Sequence, residues 1–195
     1  VSIIIPVYGS VSLLKDSLKS AINQTYNNCE ILIVDDGSKQ KKKIRNIIKI
    51  LSIGNRKKIK LISYKKNKGV AYALNKGISN AKGQIISWLS HDDIFLKTKI
   101  EKQISKFKNK KINIVTSNFI EWNVKKNKYI NRALDTGYFK ETMKSLLLND
   151  KLHGCSILFR KKCFNVVGLF DTNLYHTQDY DMWIRMSEKF KFYHY

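Results

Sequence analysis

The feature that most constrains this chain is the alternation of apolar runs with helical patterns between Ser2 and Leu89. Ser2-Ile3-Ile4-Ile5-Pro6-Val7 is continuously apolar, the mark of a parallel strand buried on both faces, and it ends at Tyr8-Gly9. Leu13, Leu14, Leu18, Ala21 and Ile22 then recur at helical spacing, with Ser10 or Ser12 as the expected N-cap. Glu30 to Val34 is the next strand. Ile44, Ile47, Ile48 and Leu51 mark a helix closed near Gly54-Asn55. A strand over Ile59 to Tyr64, a helix over Val70 to Ala81 and a strand over Gln84 to Leu89 complete a β-α-β-α-β-α-β order. That order predicts an α/β fold, with a parallel sheet covered by helices.

The rest of the chain is more mixed. A helix is expected over Ile94 to Phe107, with Ile100, Ile104 and Phe107 on one face, then a long strand-like run from Ile112 to Trp122. Lys125-Lys126-Asn127-Lys128 reads as the turn of a hairpin between Asn123 and Ile130. A further helix starts near Asp179, and Phe192-Tyr193-His194-Tyr195 is strand-like. No repeat, low-complexity linker or boundary divides the 195 residues, so one domain is expected. The start at Val1 and the strand-like end read as a fragment cut at both sides.

At 43% hydrophobic residues the chain can bury a core. Its net charge of +22, mostly lysine, fits a compositional habit of the source, attraction to an anionic membrane or ligand, or nucleic-acid binding. No interleaved aromatic-basic stripe or nucleic-acid motif supports the last, and nucleic acid is not expected as a partner. Cys29, Cys155 and Cys163 are odd in number and lack metal spacing, and they read as small buried thiols in a reducing compartment. No run of 18 apolar residues exists to form a membrane-spanning helix, and no signal peptide is visible.

Carboxylates follow the apolar runs. Asp35-Asp36-Gly37-Ser38 comes after the second strand and Asp92-Asp93 after the fourth. In an open α/β sheet, ligands bind at these strand ends. Adjacent carboxylates repel, so such a pair suits a divalent cation bridging phosphates or a donor-rich site. The plainer reading makes the first pair a turn and helix cap, and the second an N-cap for Ile94 to Phe107. His91 reads as a solvated loop histidine. Tyr8 either stacks on a base or fills the core as an aromatic. Gln178-Asp179-Tyr180-Asp181-Met182-Trp183-Ile184-Arg185 puts an acid where it favours a helix dipole, or where a general base faces a cleft. Trp122 and Trp183 are expected in the core. His153-Gly154-Cys155-Ser156 leads into a strand, either as a structural turn or as lining for a cleft. The first βα turn, Pro6-Val7-Tyr8-Gly9-Ser10, has neither a GxGxxG nor a P-loop pattern.

These stretches, together with Gln24-Thr25-Tyr26, Asn67-Lys68-Gly69, Ala73-Leu74-Asn75-Lys76-Gly77-Ile78, Ala81-Lys82-Gly83 and Gly168-Leu169-Phe170-Asp171, stand in an order that resembles glycosyltransferase family 2. The resemblance runs through essentially the whole chain. It implies the GT-A fold: a mostly parallel, Rossmann-like sheet flanked by helices, with a mixed, smaller acceptor-side half. The nucleotide-binding half would cover about residues 1–110 and the acceptor-side half about 111–195 of one catalytic domain, truncated at its C-terminus.

The family resemblance also implies roles. Tyr8 would stack on or flank the nucleobase, and Pro6 would add backbone contacts. Asp36 would accept from the base N–H, with Asp35 nearby. Asp92 and Asp93 correspond to the DXD region, one touching the ribose and the other the metal, with Asp93 favoured for the metal. The metal would be Mn²⁺ or Mg²⁺. Asp179 would be the catalytic base of an inverting transfer from a nucleotide-sugar, by family resemblance a UDP-sugar, to a saccharide or lipid-linked acceptor in cell-surface glycan synthesis. A cytoplasmic place, with peripheral contact at the inner membrane face, goes with that reading. The chain departs from the family pattern at Gly9 (usually Asn), Leu74 (often Arg), Ser90 (usually the first Asp of the DXD) and Gln178 (usually Glu). A non-catalytic nucleotide-sugar-binding module is the alternative, and the intact Asp93 and Asp179 speak against it. A nucleotidyltransferase would want a Gly-rich triphosphate loop, which is missing.

Overall fold

The computed structural model describes residues 1–195 apart from 124, 126, 140–142 and 150. In chain order its first half runs β1 (Ser2–Val7), α1 (Leu14–Ile22), β2 (Glu30–Asp35), α2 (Lys41–Ser52), β3 (Lys58–Ser63), α3 (Val70–Asn80), β4 (Ile85–Trp88) and α4 (Lys99–Lys106). There follow β5 (Ile114–Thr116), β6 (Phe119–Asn123), β7 (Lys128–Arg132), β8 (Gly137–Tyr138), α5 (Met143–Leu148), β9 (Leu158–Arg160), α6 (Cys163–Val167), α7 (Gln178–Lys189) and β10 (Phe192–His194).

β1 is buried along its whole length because it lies in the middle of the parallel half of the sheet. It pairs in parallel with β2 on one side and with β4 on the other. The full sheet has eight strands in the order β3-β2-β1-β4-β9-β5-β10-β8. The chain thus builds outward from β1 through β2 to β3, then crosses back to set β4 on the opposite side. A ligand crevice opens at such a reversal, beyond the carboxyl ends of the strands. β9 is the antiparallel member wedged between β4 and β5. β8 runs antiparallel to β10 at the far edge. The architecture is therefore the expected mostly parallel sheet with a mixed second half.

Alternating side chains of β1 feed two cores. Ile3 and Ile5 meet Leu14, Leu18 and Ala21 of α1, Ile44 of α2 and Ile100 of α4. Ile4 faces Ala73, Leu74 and Ile78 of α3, in the same cluster as Met182, Trp183 and Met186 of α7. Helices cover both faces, which is why the strands read as unbroken apolar runs.

Several local expectations need correcting. α1 opens at Leu13 with no side-chain cap, while Ser10 and Ser12 bond each other at 3.1 Å. α4 starts at Lys99 rather than Ile94, so Asp92 and Asp93 do not cap it. The side chain of Gln24 takes that part, accepting from Ile100 N–H at 3.0 Å and donating to Leu96 O at 2.9 Å. Ile94 and Leu96 are left exposed. The run from Ile112 to Trp122 is two strands, β5 in the main sheet and β6 in a separate two-stranded sheet with β7. The β6–β7 pairing gives the expected hairpin; residues 124 and 126 of its turn lie outside the described residues. Trp122 sits on this hairpin, 44% exposed and against Tyr129 at 4.6 Å, rather than in the core. Trp183 is fully buried, as expected. Among the described residues, no helix is long and apolar enough to cross a membrane.

Candidate active site

Three parallel strands deliver the singled-out residues to one edge. Pro6 and Val7 close β1, so that Tyr8 emerges 53% exposed instead of filling the core. β2 ends in Asp35, and Asp35 and Asp36 are both almost wholly buried. Asp35 accepts from Ser38 N–H at 2.9 Å and from the Ser63 hydroxyl at 2.7 Å, which ties the turn to β3. Asp36 accepts from Lys68 N–H at 2.7 Å, Gly69 N–H at 2.9 Å and the Asn67 amide at 2.9 Å. The Asn67-Lys68-Gly69 loop is therefore wrapped around one carboxylate. Burial raises the Asp36 pKa, and the Lys68 and Gly69 N–H bonds oppose that. Burial and the neighbouring Asp36 carboxylate both hold the Tyr64 hydroxyl's pKa well above normal. The cap reading of Asp35-Asp36 fails, since α2 opens at Gln40 without a side-chain cap.

Gly37 is what lets this turn close. Its φ is +73°, and a Cβ there would stand 2.6 Å from Asn67 N and from Lys66 C. Left-handed backbone alone costs a non-glycine residue about 1–2 kcal/mol. Gly37→Ala should therefore lose more than about 2 kcal/mol in urea unfolding and loosen the loop on Asp36.

β4 leads to Ser90-His91-Asp92-Asp93, where Asp92 is exposed and the Asp93 side chain is 40% exposed. The Ser17 hydroxyl of α1 donates to Ser90 O at 2.9 Å and anchors the segment. Cys155 stands against it. The thiol donates to Asp93 Oδ2 at 2.9 Å, and Ser90 N–H donates to the same sulfur at 3.2 Å. Cys155 lies in a 3₁₀ turn, Gly154–Ser156, not in the strand its neighbours suggest. Gly154 carries no side chain because a Cβ there would run into the Trp88 ring at the end of β4. That close approach brings residues 153–155 onto the β4 terminus. His153 follows, with Nε2 4.0 Å from Asp93 Oδ2.

Asp179 lies in the first turn of α7, half-buried, with Oδ1 accepting from Tyr180 N–H at 3.0 Å. Burial raises its pKa, opposed by its backbone hydrogen bonds and by the charge of nearby His153. His153 thus lies within electrostatic reach of Asp179 and beside Asp93. Asp181, in the same motif, is spent on Arg185 at 2.6 Å. Arg185 also donates to Val167 O at 2.6 Å and Leu169 O at 3.1 Å, fastening α7 to the end of α6.

The part-exposed Asp93 carboxylate is the kind of oxygen ligand a hard divalent cation takes, so the site fits one. All three cysteines are free and buried, as expected, and ligand atoms of Asp93, His153 and Cys155 lie within 4.8 Å of one another. Sequence spacing could not show this, because Asp93 and Cys155 are 62 residues apart.

The glycosyl transferase family 2 model matches residues 2–168. The chain belongs to glycosyltransferase family 2. An uncharacterized glycosyltransferase of Rickettsia typhi is 40% identical over 95% of this chain and 58% of its own length. The chain thus spans between 27% and 58% of the length of its Rickettsia relatives. The E. coli UDP-Glc:α-D-GlcNAc-diphosphoundecaprenol β-1,3-glucosyltransferase WfgD is 30% identical over 94% of the chain and 68% of its own length. Among solved structures, S. aureus TarS 1–349 superposes with a TM-score of 0.75 at 18% identity, covering 100% of this chain and 57% of TarS. That likeness is one of fold, and it is to GT-A glycosyltransferases. TarS has also been solved with UDP and with UDP-GlcNAc.

Proposed function

We propose that this family 2 domain transfers a sugar from a UDP-sugar to a saccharide or lipid-linked acceptor, with inversion at the anomeric carbon. The observation that carries the reading is that Asp93 stands 4.0 Å from His153 at the strand-end crevice, with Asp179 within electrostatic reach of the same imidazole. A donor phosphate beside Asp93 and an acceptor hydroxyl beside Asp179 would then share one small region. The UDP-glucose and lipid-linked acceptor in the name of WfgD, and the UDP-GlcNAc bound by TarS, support the donor and acceptor classes.

Asp179 takes the proton of the acceptor hydroxyl as that oxygen attacks from the side opposite the leaving diphosphate. Its raised pKa places it nearer to working pH than an ordinary carboxylate. Tyr8, exposed at the end of β1, flanks the base, and Pro6 fixes the backbone before it. Asp36 accepts from the base N–H beside its loop donors Asn67, Lys68 and Gly69, and Asp35 holds the turn. Asp92 reaches the ribose, and Asp93, with Asp92 nearby, would hold the Mn²⁺ or Mg²⁺, which when bound would offset charge on the diphosphate. Residues 1–110 serve the nucleotide and 111–195 the acceptor. The strongly basic chain suits peripheral contact with an anionic inner leaflet, where lipid-linked acceptors sit.

Thermal unfolding with UDP, with and without Mn²⁺, tests the donor site. At a UDP concentration 100 times Kd, binding should add about 2.7 kcal/mol of stability. The expected shift needs Mn²⁺, exceeds those with GDP and CDP, and disappears in Asp93→Ala. Equal shifts with all three nucleotides, or an unchanged shift in the variant, would reject the assignment.

A further inference from the structure

We propose that Asp93, His153 and Cys155 form a three-ligand site for Zn²⁺, with a mixed oxygen, nitrogen and sulfur donor set. The site shares Asp93 with the donor site proposed above but does not need transferase activity. Zn²⁺ binds carboxylate and imidazole at roughly 2.0–2.2 Å and thiolate at about 2.3 Å, so tetrahedral ligand atoms stand about 3.3–3.7 Å apart. Here Cys155 Sγ is 2.9 Å and His153 Nε2 is 4.0 Å from Asp93 Oδ2, which brackets that spacing. Small side-chain movements close the set and leave a fourth position open.

The Ser90 contacts favour a ligating sulfur, against burial and the Asp93 carboxylate, which push the thiol's pKa up until an ion neutralises that charge. Ser90 N–H is directed at Sγ at 3.2 Å, and the Ser90 hydroxyl lies 3.4 Å away. Donors around a ligating sulfur stabilise the thiolate and orient it. Ligation replaces the hydrogen bond from the thiol to Asp93. Binding forms the Zn–S bond, breaks S–H and releases one proton to solvent. With His153 neutral, Nδ1 accepts from Cys155 N–H at 3.3 Å and the ring proton sits on Nε2. Ligation moves that proton to Nδ1 and gives up this long bond. Mg²⁺ demands six oxygens in near-ideal octahedral geometry, and this set supplies one carboxylate beside softer donors. The chain should therefore prefer Zn²⁺ or Co²⁺ to Mg²⁺, and Zn²⁺ should compete with Mn²⁺ for Asp93.

Co²⁺ titration of the nucleotide-free chain reads this directly. One equivalent should give a near-ultraviolet sulfur-to-cobalt charge-transfer band, which Zn²⁺ removes and excess Mg²⁺ does not. The band should vanish in Cys155→Ser and persist in Cys29→Ser and Cys163→Ser. In competition with a chromophoric chelator, His153→Gln should weaken Zn²⁺ by more than the roughly 10–100-fold that losing an outer-shell group costs. A wild-type chain without the band overturns the site, whatever the variants do. So does a band that survives in Cys155→Ser, or Zn²⁺ affinity unchanged in His153→Gln. Should Cys155→Ser fail to fold, loss of the band in Cys29→Ser or Cys163→Ser would equally overturn it. A missing UDP shift beside an intact cobalt band would reject the donor site alone. A missing band beside an intact UDP shift would reject the zinc site alone.

Discussion

Asp179→Asn is expected to slow sugar transfer roughly 10²–10⁴-fold, the range that general-base catalysis contributes. The amide keeps the size of the carboxylate and can still accept from Tyr180 N–H, so the first turn of α7 should hold. UDP binding and thermal stability should stay near wild type, because the side chain is half-buried at the rim and not part of the core. The loss should fall on kcat. The wild-type profile supplies a second check. Burial raises the Asp179 pKa, so the base is protonated, and lost, at a higher pH than an ordinary aspartate. Transfer should decline as pH falls through that raised value, and this limb should be absent from the residual activity of the variant. A variant with full transfer activity would remove Asp179 from the mechanism.

Trp183→Ala should cause the largest loss of stability among single truncations, about 3–5 kcal/mol. Trp183 is fully buried in α7, stacked on Phe159 of β9 at 5.2 Å and edge-on to Phe170 at 6.1 Å. It joins the helix that carries Asp179 to the strand wedged between β4 and β5. In a domain of this size each kcal/mol moves Tm by about 2–4 °C, so a drop of roughly 6–20 °C is expected in calorimetry. Trp122→Ala is the contrast. That indole is 44% exposed on the β6–β7 hairpin, and its loss should stay within about 0.5 kcal/mol. Comparable losses from both would contradict the packing described here.

The first four strands and three helices were legible because their signal is local. Unbroken apolar runs such as Ser2–Val7 follow from burial on both faces, and the 3.6-residue spacing of Leu14, Leu18 and Ala21 follows from burial on one. The errors arose where a distant residue supplied what the local sequence lacked. α4 looked ready to begin at Ile94, with Asp92 and Asp93 as its caps. The Gln24 side chain, from the end of α1, binds Ile100 N–H and Leu96 O, and the helix begins later. The run from Ile112 to Trp122 carried no visible break, yet β5 pairs with β9 and β10 while β6 turns away to β7.

The candidate site divides along the same line. Asp35, Asp36, Asp92 and Asp93 could be placed together from sequence, because parallel strands joined by helices bring their carboxyl ends to one edge. Family membership was equally legible in the ordered motifs, and the match over residues 2–168 agrees with it. Two things depended on the tertiary structure. One is the commitment of the Asp36 oxygens to the Asn67-Lys68-Gly69 loop, a contact between two strand ends. The other is the seat of His153 and Cys155 against Asp93, which follows from β9 entering antiparallel beside β4 and from a glycine at 154 packed on Trp88. Periodicity reports which face of an element is buried. It does not report which strand lies beside which, and here that neighbour decides which donors surround the carboxylate.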